Sequence, residues 1–117
     1  MTDQDDGLNT WIAERVMGWN RHISPCVVVT TAYWYNNKGR SVILCANWHP
    51  TRSIEQAVEC ARKLVQSDPS FEMTFELGLD HTEAIVWSYG KVAASVENSG
   101  TLELDICLAI REAFGKE

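Results

Sequence analysis

The chain lacks an apolar run that could cross a bilayer, which takes roughly 20 residues; stretches such as 26–29 break off after a few positions. It also lacks paired cysteines. The four present stand singly at Cys26, Cys45, Cys60 and Cys107, with no CxxC, so the two close pairs that a structural zinc site normally brings together are missing. Basic residues are scarce, ten Lys and Arg against sixteen Asp and Glu, for a net charge of -6. Duplex-binding domains draw most of their affinity from neutralising phosphates, and anionic membranes attract basic surfaces in the same way. Duplex nucleic acid and membranes are therefore not expected partners, whereas a basic protein suits the charge. The phosphate loop GxxxxGK(S/T), the dinucleotide loop GxGxxG, the zinc motif HExxH, the nucleophile elbow GxSxG and the EF-hand loop are all absent. No catalytic residue, metal or cofactor is expected from motifs.

What is present is an ordinary globular composition. At 117 residues the chain is one domain's worth of sequence. With 45% hydrophobic and 22% charged residues it is not a disordered or low-complexity protein. Each cysteine lies among apolar neighbours: Cys26 opens CVVV, Cys45 follows VIL, Cys60 lies in AVECA and Cys107 in DICLAI. Single cysteines behave as small hydrophobes, which predicts reduced core thiols and a cytoplasmic setting. Asp3, Asp5 and Asp6 precede the first basic residue, Arg15. That pattern predicts a flexible acidic lead-in over residues 1–7 and no signal peptide.

Leu8, Trp11, Ile12, Val16 and Trp19 recur at helical spacing, and Gly18 with Ser24-Pro25 marks the end of this first helix. The segment CVVVTTAYWY, residues 26–35, reads as a strand. Turn chemistry at Asn36-Asn37-Lys38-Gly39 then leads into SVILCA as its hairpin partner. Ser53-Ile54-Glu55-Gln56 is a capping box for a second helix that runs to Ser67-Asp68-Pro69. From Phe71 the period falls to two, with Glu72, Thr74 and Glu76 opposite Phe71, Met73, Phe75, Leu77 and Leu79. After a turn at 80–82, EAIVWSYGKV reads as the partner strand, and a last helix follows Thr101 with Leu102, Ile106, Ala109, Ile110, Ala113 and Phe114 on one stripe.

The predicted order is α-β-β-α-β-β-α, two αββ units and a closing helix. In segments 26–35 and 83–92 both alternating sets are apolar or small, as in strands covered on both faces. The predicted fold class is therefore α+β, a three-layer α/β/α sandwich with a largely antiparallel four-stranded sheet and helices on both faces. Trp11 and Trp19 are placed in the core, and Trp34 and Trp87 beneath helices. The half-polar strand 71–79 belongs at a sheet edge, where its backbone can pair with a second chain; a closed two-fold homodimer is the simplest such arrangement.

The block Leu8-Asn9-Thr10-Trp11-Ile12-Ala13-Glu14-Arg15-Val16-Met17-Gly18-Trp19, the mid-chain Tyr33-Trp34-Tyr35 and the closing Ile106-Cys107-Leu108-Ala109 resemble the small proteins of the phage ABA-sandwich domain family. The resemblance follows most of the chain in order, and WIAERVMGW is its most specific part. It implies a three-layer α-β-α fold in a protein encoded by a phage or prophage, and it implies no catalytic residues. The sequence departs from the family before the middle helix: where a Phe-Ser start is usual it has Cys45-Ala46-Asn47-Trp48-His49-Pro50.

That loop holds the candidate ligand-binding residues Asn47, Trp48, His49, Thr51, Arg52 and Ser53. They gather just before the second helix, and a helix N-terminus offers unsatisfied N–H groups to an anion. Arg52 and a protonated His49 add positive charge, and Trp48, beside Pro50 with no obvious apolar stripe to join, reads either as a contact residue or as a cap on the edge of the core. His22, His49 and His81 share no spacing, so solvated connections are the simplest place for them. Two functions follow. One is a non-enzymatic phage accessory protein that binds a host or phage protein, in the manner of an acidic inhibitor or adaptor. The other is a small-anion or nucleotide binder, or an enzyme, built on the loop around His49 and Arg52.

Overall fold

The computed structural model describes residues 3–24 and 31–115, which divide between two compact units, Met1–His49 and Pro50–Glu117. In the first unit, helix α1 spans Asp3–Arg15. Leu8, Ile12, Ala13 and Val16 are buried along the apolar stripe, while Glu14 and Arg15 stay exposed. Gly18, at φ +73°, turns the chain out of the helix in a left-handed conformation that suits glycine. The N–H of Trp19 reaches back to the carbonyl of Ala13 at 2.9 Å. Strands β1 (Asn20–Ser24), β2 (Thr31–Tyr35) and β3 (Ser41–Leu44) then form an antiparallel sheet in that order. The β2–β3 turn has the predicted chemistry. Asn36 Oδ1 accepts from the backbone N–H groups of Lys38 and Arg40 at 2.9 and 3.0 Å, and Gly39 takes φ +77°. A 3-10 turn at Cys45–Asn47 follows β3.

The second unit opens on helix α2 (Ile54–Ser67), where Ser53 Oγ accepts from the Gln56 N–H at 3.3 Å. Its buried stripe is Ala57, Cys60, Ala61 and Leu64. Strands β4 (Phe71–Leu77), β5 (Thr82–Ser88) and β6 (Lys91–Glu97) make a second antiparallel sheet with β5 in the middle. Helix α3 (Leu102–Phe114) is capped by Thr101 Oγ1, which accepts from the Leu104 N–H at 3.2 Å. It lies against β5 and β6 and beside α2, and α2 reaches β4. Phe71, Ala84, Val86 and Ala94 form the buried face of this sheet; Leu64, Ile106 and Ile110 are buried on the helices. Asp105, fully buried in the first turn of α3, accepts through Oδ1 from the Ser99 N–H at 2.9 Å and from the Ser99 hydroxyl. This ties down the β6–α3 connection at the positive end of the helix.

The α+β class, the three helices and the antiparallel pairing stand as predicted, and β4 is a sheet edge. The strand count does not. Among the described residues two three-stranded sheets replace the expected four-stranded one, in the order α-β-β-β-α-β-β-β-α. Each unit gains a strand for its own reason. The first gains β1, a polar segment (NRHIS) without a hydrophobic alternation to announce it, which pairs with β2 from Asn20↔Tyr35 to Ser24↔Thr31. Of the predicted strand 26–35, residues 31–35 form β2 and residues 25–30 lie outside the described residues. The second unit gains β6, because Tyr89 and Gly90 adopt φ +53° and +77° between the paired Ser88 and Lys91. Two successive left-handed residues make the tight turn of a two-residue hairpin, so segment 83–92 folds back where one strand was expected.

Trp87 is a further correction. It shares its side of the sheet with its partners Glu72 and Val92, opposite to the buried Val86, and is half-exposed. Its indole N–H donates to Thr74 Oγ1 at 3.3 Å. A bulge between Val86 and Trp87 brings Val92 opposite the indole. Trp34 is buried as predicted. No helix among the described residues is long and apolar enough to cross a membrane.

Candidate functional site

The six loop residues divide between the units: Asn47, Trp48 and His49 end the first, and Thr51, Arg52 and Ser53 open the second. Of the two places open to it from its loop, Trp48 takes the one against the core and not the exposed contact surface. It is 5% exposed, its indole N–H donates to the Asn9 carbonyl at 3.0 Å, and its ring meets that of Trp19 edge-on with centroids 4.7 Å apart. An indole beside an apolar stripe gains more from burial than from solvent once its N–H has an acceptor. Trp19 supplies the aromatic wall that the sequence pattern did not place next to it. Asn47 is exposed, His49 half-buried and Thr51 buried. Ser53 spends its hydroxyl on the cap of α2, and Arg52 is exposed beside it.

Trp48 also lines a cavity of about 270 Å³ within the first unit, together with Asn9, Thr10, Arg21, Trp34 and Cys45. Partial burial pushes the Cys45 thiol up from its ordinary value, and the Arg21 guanidinium opposes the shift. Such a thiol is held protonated and weakly nucleophilic. Cys60 is buried more deeply and is pushed up to about 12, first by burial and then by the Glu59 carboxylate. Cys60 and Cys107 are buried thiols and Cys45 a half-buried one; Cys26 lies outside the described residues. The His22 ring sits on β1, edge-on to Tyr35 at 5.0 Å, and so belongs to a strand and not to a connection.

The second unit carries a more open feature. Along α2 and β4 runs an apolar groove of about 290 Å³, lined by Val58, Ala61, Val65, Met73 and Phe75 with Arg62 and Gln66 at its rim. A further hollow of about 390 Å³ continues along the helix past Ile54, Val58 and Glu59. Ile54, Val65 and Phe75 are exposed, and beyond them Leu77 is 73% and Leu79 fully exposed. The groove arises because the apolar face of β4 outruns its cover. Phe71 is buried at one end of the strand, whereas Phe75 and Leu77 continue the same alternating face into solvent. Beside it lies the edge of β4, which pairs with no further strand among the described residues.

Compared with known protein families, the chain matches the phage ABA sandwich domain over residues 10–110. The chain belongs to this family. Neither a curated protein nor a solved structure matches it. The three helices and two antiparallel sheets are consistent with an ABA sandwich, and the WIAERVMGW block lies wholly inside the matched span.

This phage ABA sandwich chain also brings together three residues that sequence reading left apart, Glu76, His81 and Glu83 at the tip of the β4–β5 hairpin. His81 Nε2 stands 3.9 Å from Glu76 Oε2 and 3.9 Å from Glu83 Oε1, and the three donor atoms lie within 4.8 Å of one another. The signal in the sequence was faint. Glu76 and Glu83 are seven positions apart, and only the register of the hairpin, which pairs them directly, shows that they flank the histidine.

Proposed function

We propose that this phage-family protein works by binding another protein, of the host or of the phage, and acts as an acidic inhibitor or adaptor rather than as an enzyme. The observation that carries this reading is the groove between α2 and β4. An extended segment laid along the edge of β4 would gain main-chain hydrogen bonds and place alternate apolar side chains against Val65, Met73 and Phe75. Glu72 and Glu76 on β4, Glu55 and Glu59 on α2, and the net charge of -6 favour a segment that is apolar on one face and basic on the other.

The test is capture from a bacterial host lysate with the full chain and with a Phe75→Asp, Leu77→Asp variant, both checked for folding by circular dichroism. A specific protein retained by the parent, lost from the variant and released as salt rises supports the reading. Capture of nothing, or equal capture by the variant, overturns it. A second copy of the chain is the competing occupant of the same edge, and light scattering that shows a dimer abolished by the same substitutions assigns the groove to it.

A second reading places a small anion or nucleotide at the start of α2, supported by the exposed Arg52 next to the helix N-terminus. Calorimetry with a nucleotide panel tests it. Arg52→Ala is expected to weaken binding by about 1.5–3 kcal/mol, the range for hydrogen bonds to charged groups. No heat from any nucleotide removes this reading.

A further inference from the structure

We propose that Glu76, His81 and Glu83 bind a divalent first-row transition ion, Zn²⁺ foremost, at the tip of the β4–β5 hairpin. The local fold assembles the three donors. Glu76 and Glu83 are direct cross-strand partners, which puts both carboxylates on one face of the sheet. The turn between them is closed by the Gly78 N–H donating to the His81 carbonyl at 2.6 Å. Held there, the imidazole presents Nε2 to both carboxylates at equal distances of 3.9 Å.

A second feature of the same face points to a cation. Glu97 on β6 is the partner of Glu83, so Glu76, Glu83 and Glu97 form a row of carboxylates across three adjacent strands. Like charges set directly opposite one another destabilise a sheet. A doubly charged ion among them reverses that term, which His81 alone offsets by at most one charge.

Donor chemistry sets the class of ion. Magnesium and calcium prefer all-oxygen shells, whereas one imidazole with two carboxylates suits zinc and its neighbours. Around a tetrahedral zinc with bonds of about 2.1 Å, ligand atoms lie about 3.4 Å apart. The imidazole-to-carboxylate distances of 3.9 Å therefore need to close by about half an ångström, and the two carboxylates, which lie within 4.8 Å of each other, by at most about 1.4 Å, which rotation of the exposed Glu76 side chain can supply. Water would complete the shell at this open surface.

Zinc titration calorimetry on the full, reduced chain tests the proposal, with His81→Ala, Glu83→Gln and Glu76→Gln compared with His22→Ala and Cys45→Ser. One equivalent of Zn²⁺ is expected, undisturbed by excess Mg²⁺ or Ca²⁺. Binding should weaken at least about tenfold in each of the first three variants, since even an outer-shell partner typically matters that much, and should be unchanged in the last two. Glu76→Gln changes a well-exposed side chain and reads the same loss if His81→Ala disturbs the hairpin. Co²⁺ should bind without a thiolate charge-transfer band. Absence of zinc binding, equal affinity in the hairpin variants, or a thiolate band that disappears in Cys45→Ser would each overturn the assignment.

Discussion

Trp48 and Trp87 put the same side chain into opposite circumstances. Trp48 is buried, hydrogen-bonded to Asn9 and packed on Trp19, so Trp48→Ala should cost about 3–5 kcal/mol. Trp87 lies half-exposed on the face of its sheet opposite Val86, and Trp87→Ala should cost about 1 kcal/mol, the central value for ordinary substitutions. Denaturant unfolding of the two variants reads the order directly, and a larger loss at Trp87 would contradict the register of β5. Cys60 yields a prediction in pH. Burial and the Glu59 carboxylate raise its thiol from 9.0 to about 12 in the folded chain. The protonated thiol is thus the form that folding favours. Its contribution is complete below the unfolded value and is lost as pH climbs from about 9 towards 12, because the unfolded chain gives up the proton first. Unfolding followed across that alkaline range should show a falling stability that Cys60→Ala flattens. In native thiol titration, half-buried Cys45 should react ahead of Cys60 and Cys107.

At the scale of elements, the starts of α2 and α3 are each set by one side chain. Ser53→Ala and Thr101→Ala each remove a cap that accepts a backbone N–H and should each cost about 1 kcal/mol in thermal or denaturant unfolding. Tyr89→Asn should do the reverse. Tyr89 holds φ +53° and is 85% exposed. A left-handed residue costs roughly 1–2 kcal/mol unless it is Gly, Asn or Asp, so the variant should melt higher, and a lower melting temperature would mean that the ring has contacts of its own. The same turn shows where the sequence was legible and where it was not. The caps at Ser53 and Thr101, the Asn36–Gly39 turn and the α2, β4 and α3 segments follow from local chemistry and periodicity, and their starts were readable, whereas β4 stops at Leu77, two residues short of the expected strand 71–79. Tyr-Gly lacks the Asn or Asp that announces a two-residue hairpin, and the apolar residues on both sides of it disguised two strands as one. NRHIS has no alternation, and its strand exists because β2 offers it an edge. The site residues suffered likewise. Ser53 was legible because a cap is local, whereas the burial of Trp48 depends on Asn9 and Trp19, and the meeting of Glu76, His81 and Glu83 depends on strand register.

The molecule as a whole repeats one motif, a helix followed by three antiparallel strands, with α3 added after the second copy. Its charge of -6 is a property of the entire surface, so association with a basic partner should weaken as salt shortens the screening length to about 8 Å at physiological ionic strength. An apolar partner seated in the groove without basic residues would show little such dependence. The second copy of the motif has what a small domain needs. Leu64 on α2, Phe71 and Val86 on the sheet, and Ile106 and Ile110 on α3 are buried, α2 packs beside α3, and α3 lies against β5 and β6. Both helices carry their own caps. Domains of 55–65 residues often fold alone, and a fragment spanning Pro50–Glu117 is slightly longer. Expressed by itself it should show the far-ultraviolet signature of mixed helix and strand and unfold in one cooperative step. Loss of cooperativity would mean that the core of α2 and α3 is complete only with residues 1–49, and the 117 residues would then be the single domain that their length suggests. If the full chain captures a partner as proposed, a folded fragment that still captures it would place binding within Pro50–Glu117, the part that carries the α2–β4 groove.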